Sequence, residues 1–375
     1  MSEQALDSQR QEKAREYAGI TRRLFFVGLA LGAVFLLVLL FSGLSSGLRN
    51  LLDFPQSARV ALYFLIVMVS YGIISTPLGF YSGFVLPHRY GLSCQSLRSW
   101  LADEAKGGIL ALALGTVLVV VIYLCLQEFP QTWWLLAFAF VVLVSVILTN
   151  LAPVLILPIF FKTKPLDDPE LRRRLLSLAE RSQTKIRDIF QINFSSKTTA
   201  GNAMLMGWGN TRRIVISDTM LQRYAPEEIE VVMAHELGHH RHGDIVRLIV
   251  VQSALMLLGF YLMNLALNWA VPGLNLEGVS DVAALPLLAL VGAAFALVLM
   301  PLANAYSRRL ETSADQYALV ATANPEAFAT MLTKLTDQNL SESEPSRWAE
   351  FLFYDHPPYS KRLELANRYR KEGKR

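Results

Sequence analysis

The chain has 375 residues, of which 53% are hydrophobic and only 18% charged, with a formal net charge of +4. That balance excludes an ordinary soluble enzyme of this length. The positive charge shows no basic–aromatic pattern of the kind that grips nucleic acid, so no nucleic-acid partner is expected.

Runs of about 20 apolar residues cross the hydrocarbon core as helices. Six such runs occur, near 24–41, 60–82, 108–126, 132–161, 248–270 and 282–304, and none holds Asp, Glu, Lys or Arg. The first begins after 23 residues and has no small-residue cleavage site behind it, so it reads as a span and not as a removable signal. In the fourth, Asn150, Pro153 and Pro158 predict a bend or a re-entrant piece. Two cysteines, Cys94 and Cys125, give neither a disulfide framework nor a zinc spacing. The tail carries Arg10, Lys13, Arg15, Arg22 and Arg23, and the 83–107 loop adds Arg89, Arg98 and Lys106, whereas the opposite side has Arg49 and Arg59. The basic side is expected to be cytoplasmic. An integral, multi-pass protein follows, with both termini and both large polar segments in the cytoplasm and the bilayer itself as a partner.

The expected order is a tail (1–23), four spans with loops (24–161), a polar segment (162–247), a membrane hairpin (248–304) and a C-terminal polar segment (305–375). The fold class is a mainly α-helical polytopic membrane protein with a small cytoplasmic α/β domain. Within 162–247 the pattern predicts a helix over 167–183, with Pro169 in its first turn, and three strands, at 187–195, 201–207 and 212–218. Another helix starts at Pro226, has Glu227 and Glu228 in its first turn, and stops near Gly243. Within 305–375 a helix covers 305–322, Asn324 and Pro325 open another, HPP (356–358) turns, and Ser360 starts the last.

Four of the six histidines fall in VVMAHELGHHRHGD, residues 231–244. His235 and His239 are four apart, so a helix puts them on one face, able to grip one metal ion. Glu236 cannot easily join that grip. It is placed to take the proton from a water that zinc acidifies as the water attacks a peptide carbonyl. A catalytic zinc needs three protein ligands and one open position. Residues 242 and 245 are His242 and Ile245, which excludes the HExxHxxGxxH class. The membrane hairpin brings LETSAD (310–315) back beside the histidines. Glu311 is the expected third ligand of one zinc ion per chain, and Asp315, one turn on, can accept a hydrogen bond from a ligand imidazole. His240 reads as surface and His242 as structural or supporting. Asp244 is open between capping the next span and a catalytic task.

HELGHHRHGD, a two-span hairpin, NAYSRRLETSAD and HPPYSKRL together resemble the type I CAAX prenyl endopeptidases, integral-membrane zinc metallopeptidases of the gluzincin type. The resemblance runs from about Tyr71 to Leu363 and includes TPLGFYSGFVLPHRYGLSCQSL, PVLILPIFFKTKPL and GNAMLMGWGNTRRIVISDTML. It implies zinc on His235, His239 and Glu311, Glu236 as base, and His356 and Arg362 facing the active site, where they would stabilise an oxyanion. It also implies that GNAMLMG is an edge strand that takes the substrate as a further strand, with Asn202, Ala203 and Met204 in contact. The family's seven spans exceed the six counted here.

Two proteolytic roles remain open. One is an endopeptidase for proteins or peptides with a lipidated or hydrophobic part. The other is a quality-control protease of HtpX type that cuts misfolded membrane proteins. A metal-binding scaffold or transporter is a third reading, against which the uncharged spans speak.

Overall fold

The computed structural model describes residues 5–207, 212–274 and 276–372. Tryptophan 208 to Thr211, part of the resembling GNAML stretch, lies outside them. Among the described residues, six helices are long and apolar enough to cross a membrane: Ser8–Phe41, Gln56–Arg89, Leu97–Glu128, Trp133–Leu151, Asp244–Ala270 and Val282–Thr322. Each coincides with one of the six apolar runs. Their apolar side chains point outward, with Ile73 and Val298 each 70% exposed. An apolar surface of this extent is stable only against lipid.

Several helices outrun the bilayer. Leu285–Thr322 is one helix of 38 residues, about 57 Å long, where a span needs about 30 Å. The change from apolar to polar at 304/305 is therefore a change of solvent and not a break in the helix. The first helix likewise begins at Ser8, capped by the Asp7 carboxylate on the N–H groups of Gln9 and Arg10. Most of the expected tail is thus a rigid extension of the first span. After Leu151 the fourth span passes into a π-helical turn, Ala152–Ile156, and a last helical turn, Leu157–Phe160. Prolines at 153 and 158 lack the N–H that regular winding needs, and the ladder shifts there.

The far ends of the spans are tied by polar bonds. Arg49 pairs with buried Asp281 at 2.5 Å, and Arg59 Nε donates to Leu52 O at 2.9 Å. Trp133 Nε1 donates to Asn264 Oδ1 at 2.8 Å, joining the fourth span to the hairpin.

On the other side lies a four-stranded sheet, ordered β1-β2-β4-β3. Its strands are β1 (Thr163–Pro165), β2 (Asp188–Ile192), β3 (Ala203–Met206) and β4 (Arg213–Ser217). β2 and β4 run parallel, the other pairs antiparallel, and β3 is an edge strand. β1 was not expected. Leu171, Leu175 and Leu178, spaced at i, i+4 and i+7 on the helix Pro169–Arg181, bury against Ile189, Ile214 and Ile216. Removing one such leucine side chain costs about 2–5 kcal/mol.

The histidine helix, Pro226–His242, lies on this core through Val231, Met233, Ala234 and Leu237. Pro226 opens it, Glu228 Oε2 accepts the Ala225 N–H at 2.8 Å, and Gly243 closes it in the left-handed region, φ 69°. The long return helix crosses it at Gly238. A Cβ there would come within 3.1 Å of Tyr317 Cβ and 3.2 Å of Ala314 Cα. The glycine of HELGH thus permits the approach that carries Glu311 and Asp315 to the histidines.

Candidate active site

His235 and His239 sit one turn apart, their Nε2 atoms 3.2 Å from each other. Glu311 reaches in from the return helix, with Oε2 3.1 Å from His235 Nε2 and Oε1 3.2 Å from His239 Nε2. The far nitrogens are also held. His235 Nδ1 lies 2.9 Å from Asp315 Oδ1, and His239 Nδ1 lies 3.0 Å from Asp244 Oδ2. A carboxylate only accepts, so each neutral ring keeps its proton on Nδ1 and turns the Nε2 lone pair inward. Two lone pairs and a carboxylate then converge on one point, and Glu311 Oε2 is buried without an aligned hydrogen bond. Such a cluster of acceptors is stable only around a cation. The distances fit: donors about 2.0–2.1 Å from a tetrahedral ion stand about 3.3 Å apart.

The electrostatics point the same way. Burial opposes charge on His235, but Asp315 and Glu311 outweigh it and raise its pKa to about 9. Burial likewise opposes charge on His239, and chiefly Glu311 raises its pKa. A site that draws protons onto its own ligands favours positive charge.

Glu236 stands beside the cluster. Burial pushes its carboxyl up, against the pull of His235 and His239 and of a backbone hydrogen bond from Leu205. It lines a cleft of about 480 Å³ together with Asn202, Ala203, His235, His356 and Arg362. The fold therefore gathers nearly every residue singled out in the sequence. Met204 is the exception: it pairs with Val215 of β4 and is not among the residues lining the cleft.

Arg362 lines the cleft, but its guanidinium is engaged. Nε and Nη2 donate to Asp315 Oδ2 and Oδ1 at 2.7 and 2.6 Å, a two-point grip on the carboxylate behind His235. His356 is closer to the centre, with Nε2 3.1 Å from Glu311 Oε2 and Nδ1 2.9 Å from Asp355 Oδ1. Burial opposes its charge, and the two carboxylates raise its pKa to about 10. His242 Nδ1 meets Ser313 Oγ at 3.2 Å and its ring packs edge-on to Tyr317, tying the two helices together.

Asp244 is the residue whose alternatives the sequence left open. It is 2% exposed. The left-handed turn at Gly243 folds it back onto His239, so it holds the second histidine as Asp315 holds the first.

Residues 165–370 match the family model for peptidase family M48, and residues 2–162 match one described as CAAX prenyl protease N-terminal, five membrane helices. Among the described residues, four candidate spans occupy that region here. The uncharacterized metalloprotease YhfN of Bacillus subtilis is 30% identical over 95% of this chain and 85% of its own. A CAAX prenyl protease 1 homolog of rice, Oryza sativa, is 29% identical over 79% of this chain and 70% of its own. The crystal structure of S. mikatae Ste24p superposes with a TM-score of 0.86, covering 96% of this chain and 90% of that one at 22% identity.

Spans, sheet and paired histidine and carboxylate helices together define a membrane-embedded metalloprotease. The chain belongs to peptidase family M48, with the N-terminal membrane region of the CAAX prenyl proteases.

Proposed function

We propose that this chain is a zinc endopeptidase at the cytoplasmic membrane face, cutting proteins or peptides beside a hydrophobic or lipidated segment. The observation that carries this reading is the convergence of two imidazole lone pairs and Glu311 beside half-buried Glu236 on a cleft wall. Zinc held by His235, His239 and Glu311 would polarise the scissile carbonyl and acidify the attacking water.

The chain's own groups do the rest. Glu236 takes the water's proton and passes it to the leaving amine. Asp315 and Asp244 keep the ligand rings in the Nδ1–H tautomer. Arg362 fixes Asp315, and His356, beside Glu311 on the cleft wall, is placed to donate to the developing oxyanion. β3 offers its open edge at Ala203 for strand addition by the substrate, with Asn202 beside it on the cleft wall. The lipidated substrate class is supported by the rice relative's name. The cytoplasmic side is supported by the excess of Lys and Arg on the loops that share a face with the site.

The test uses purified protein in detergent with its zinc content measured, a farnesylated peptide with a CAAX end, an unmodified unfolded peptide, and the Glu236→Gln variant. Cleavage of the farnesylated peptide alone, lost in the variant, is the expected result. Equal cleavage of both would move the role to general membrane-protein proteolysis, and turnover by the variant would remove Glu236 as the base.

A further inference from the structure

A strand added to β3 must use the edge that β4 leaves open. Asn202 faces β4: its carbonyl accepts the Ser217 N–H at 2.9 Å, and its N–H donates to the Ser217 hydroxyl at 3.0 Å. Backbone direction alternates along a strand, so Met204 and Met206, opposite Val215 and Arg213, face β4 as well. Gly201, Ala203 and Leu205 therefore face the open edge.

The two ends of that row are engaged. At one end, the Leu205 backbone is bonded to Glu236. At the other, the Asn339 side chain behaves like a paired strand residue. Its Oδ1 accepts the Gly201 N–H at 2.9 Å, and its Nδ2 donates to Gly201 O at 3.2 Å. Between them Ala203 lies on the cleft wall. From Leu205 to Gly201 is four residues of strand, about 13 Å.

Asn339 is firmly held in that position. A Cβ at Gly201 would lie 2.9 Å from Gln338 Oε1, so glycine there leaves room for the side chain beside the clamp. Gln338 Nε2 donates to Thr199 O at 2.8 Å. Leu340, 3% exposed, adopts the left-handed region with φ 52°, a conformation that a leucine keeps only when its surroundings enforce it. From behind, the first helix grips the same loop. Arg10 Nε donates to Asp337 O at 2.7 Å, Gln11 Oε1 accepts the Ser343 N–H at 3.1 Å, and Arg22 pairs with Glu342 at 2.8 Å.

Antiparallel addition is the commoner and stronger pairing. A substrate antiparallel to β3 runs from the Met206 end toward Gly201, so its C-terminal residues approach Asn339. We propose that Asn339 is the end stop of the substrate groove. It fills the backbone site that a longer C-terminal extension would need, and so restricts cleavage to bonds within about four residues of a C-terminus. This inference rests on the peptidase reading and adds to it the residue that sets the length of the released fragment.

The experiment uses farnesyl-cysteine peptides with one shared N-terminal part and roughly three, six or nine residues after the cysteine. The readouts are kcat/KM for each length and the mass of the released C-terminal fragment, in the parent protein, Asn339→Ala and Asn339→Ser. Serine keeps a polar side chain but cannot span both Gly201 groups. The long-to-short ratio is taken within each protein, so a general loss of activity cancels. In the parent the ratio should fall about tenfold or more, the equivalent of one lost pair of backbone hydrogen bonds. In either variant that folds and keeps its zinc, the fall should shrink to about threefold or less, with longer fragments appearing. Equal rates for all lengths in the parent, or an unchanged ratio in the variants, would overturn the end stop while leaving the peptidase intact. No cleavage of any length by the parent would instead refute the peptidase reading.

Discussion

Asp315 offers the sharpest test of how the site is held. It is wholly buried and serves two groups at once, His235 Nδ1 at 2.9 Å and the Arg362 guanidinium at 2.6 and 2.7 Å. Asp315→Asn keeps the shape and removes the charge. Both carboxylate oxygens face donors, so one of them becomes an NH₂ that faces a donor. Arg362 is then a buried cation without its counter-charge, and breaking a buried pair on one side costs about 3–5 kcal/mol. Losing the carboxylate behind a ligand histidine weakens metal affinity by about 10–100-fold, or about 1.4–2.7 kcal/mol. Thermal unfolding and zinc competition against a chromophoric chelator read the two effects separately. The double variant Asp315→Asn with Arg362→Met removes the stranded charge, so it should recover much of the stability and little of the affinity. A single variant that melts early yet binds zinc as tightly as the parent would refute the coupling of Asp315 to His235 and reduce its role to the ion pair.

Glu236→Gln should abolish cleavage, leave one zinc bound and cost no stability, since it replaces a carboxyl whose charged form burial disfavours. The same burial has a pH signature. In the metal-free protein a raised pKa means that Glu236 takes up its proton, as pH falls, above the ordinary glutamate value of 4.5, which infrared difference spectra against Glu236→Gln would read; uptake at or below that value would contradict it. Glu311→Ala should lower the zinc content measured by atomic absorption, and full retention of zinc would mean that another residue supplies the third bond. In Gly238→Ala the added methyl meets Tyr317 and Ala314 at 3.1 and 3.2 Å, so about 1–3 kcal/mol of stability and part of the metal affinity should be lost; an unchanged melting point would show that the helices have slack at this crossing.

What the sequence disclosed depended on whether a residue's reason lay nearby in the chain. The spans follow from local composition, and the histidine helix follows from Pro226, its first-turn glutamates and Gly243. Glu311 could be found because the hairpin between 248 and 304 must return to the side it left. Other features have causes that the local pattern does not carry. β1, three residues ending in proline, has too few positions to show alternation, and it exists because β2 offers it an edge. The return helix reads as two pieces because polarity changes where the membrane ends, although its hydrogen-bond ladder continues. Asp244 follows a helix-ending glycine, a position that suits a cap as well as a partner for His239; the left-handed turn decides between them by folding the carboxylate back. Met204 was drawn toward the substrate by its strand as a whole; its backbone, like that of Asn202, faces β4, and of the three expected contacts only Asn202 and Ala203 line the cleft. Arg362 and the end of the first helix show the same limit most clearly. Each is a charge on a helix surface until a distant segment, Asp315 in one case and 337–343 in the other, supplies what the charge is for. The residues proposed to bind metal are thus written in short motifs, whereas those that hold the motifs in position are written across the whole chain.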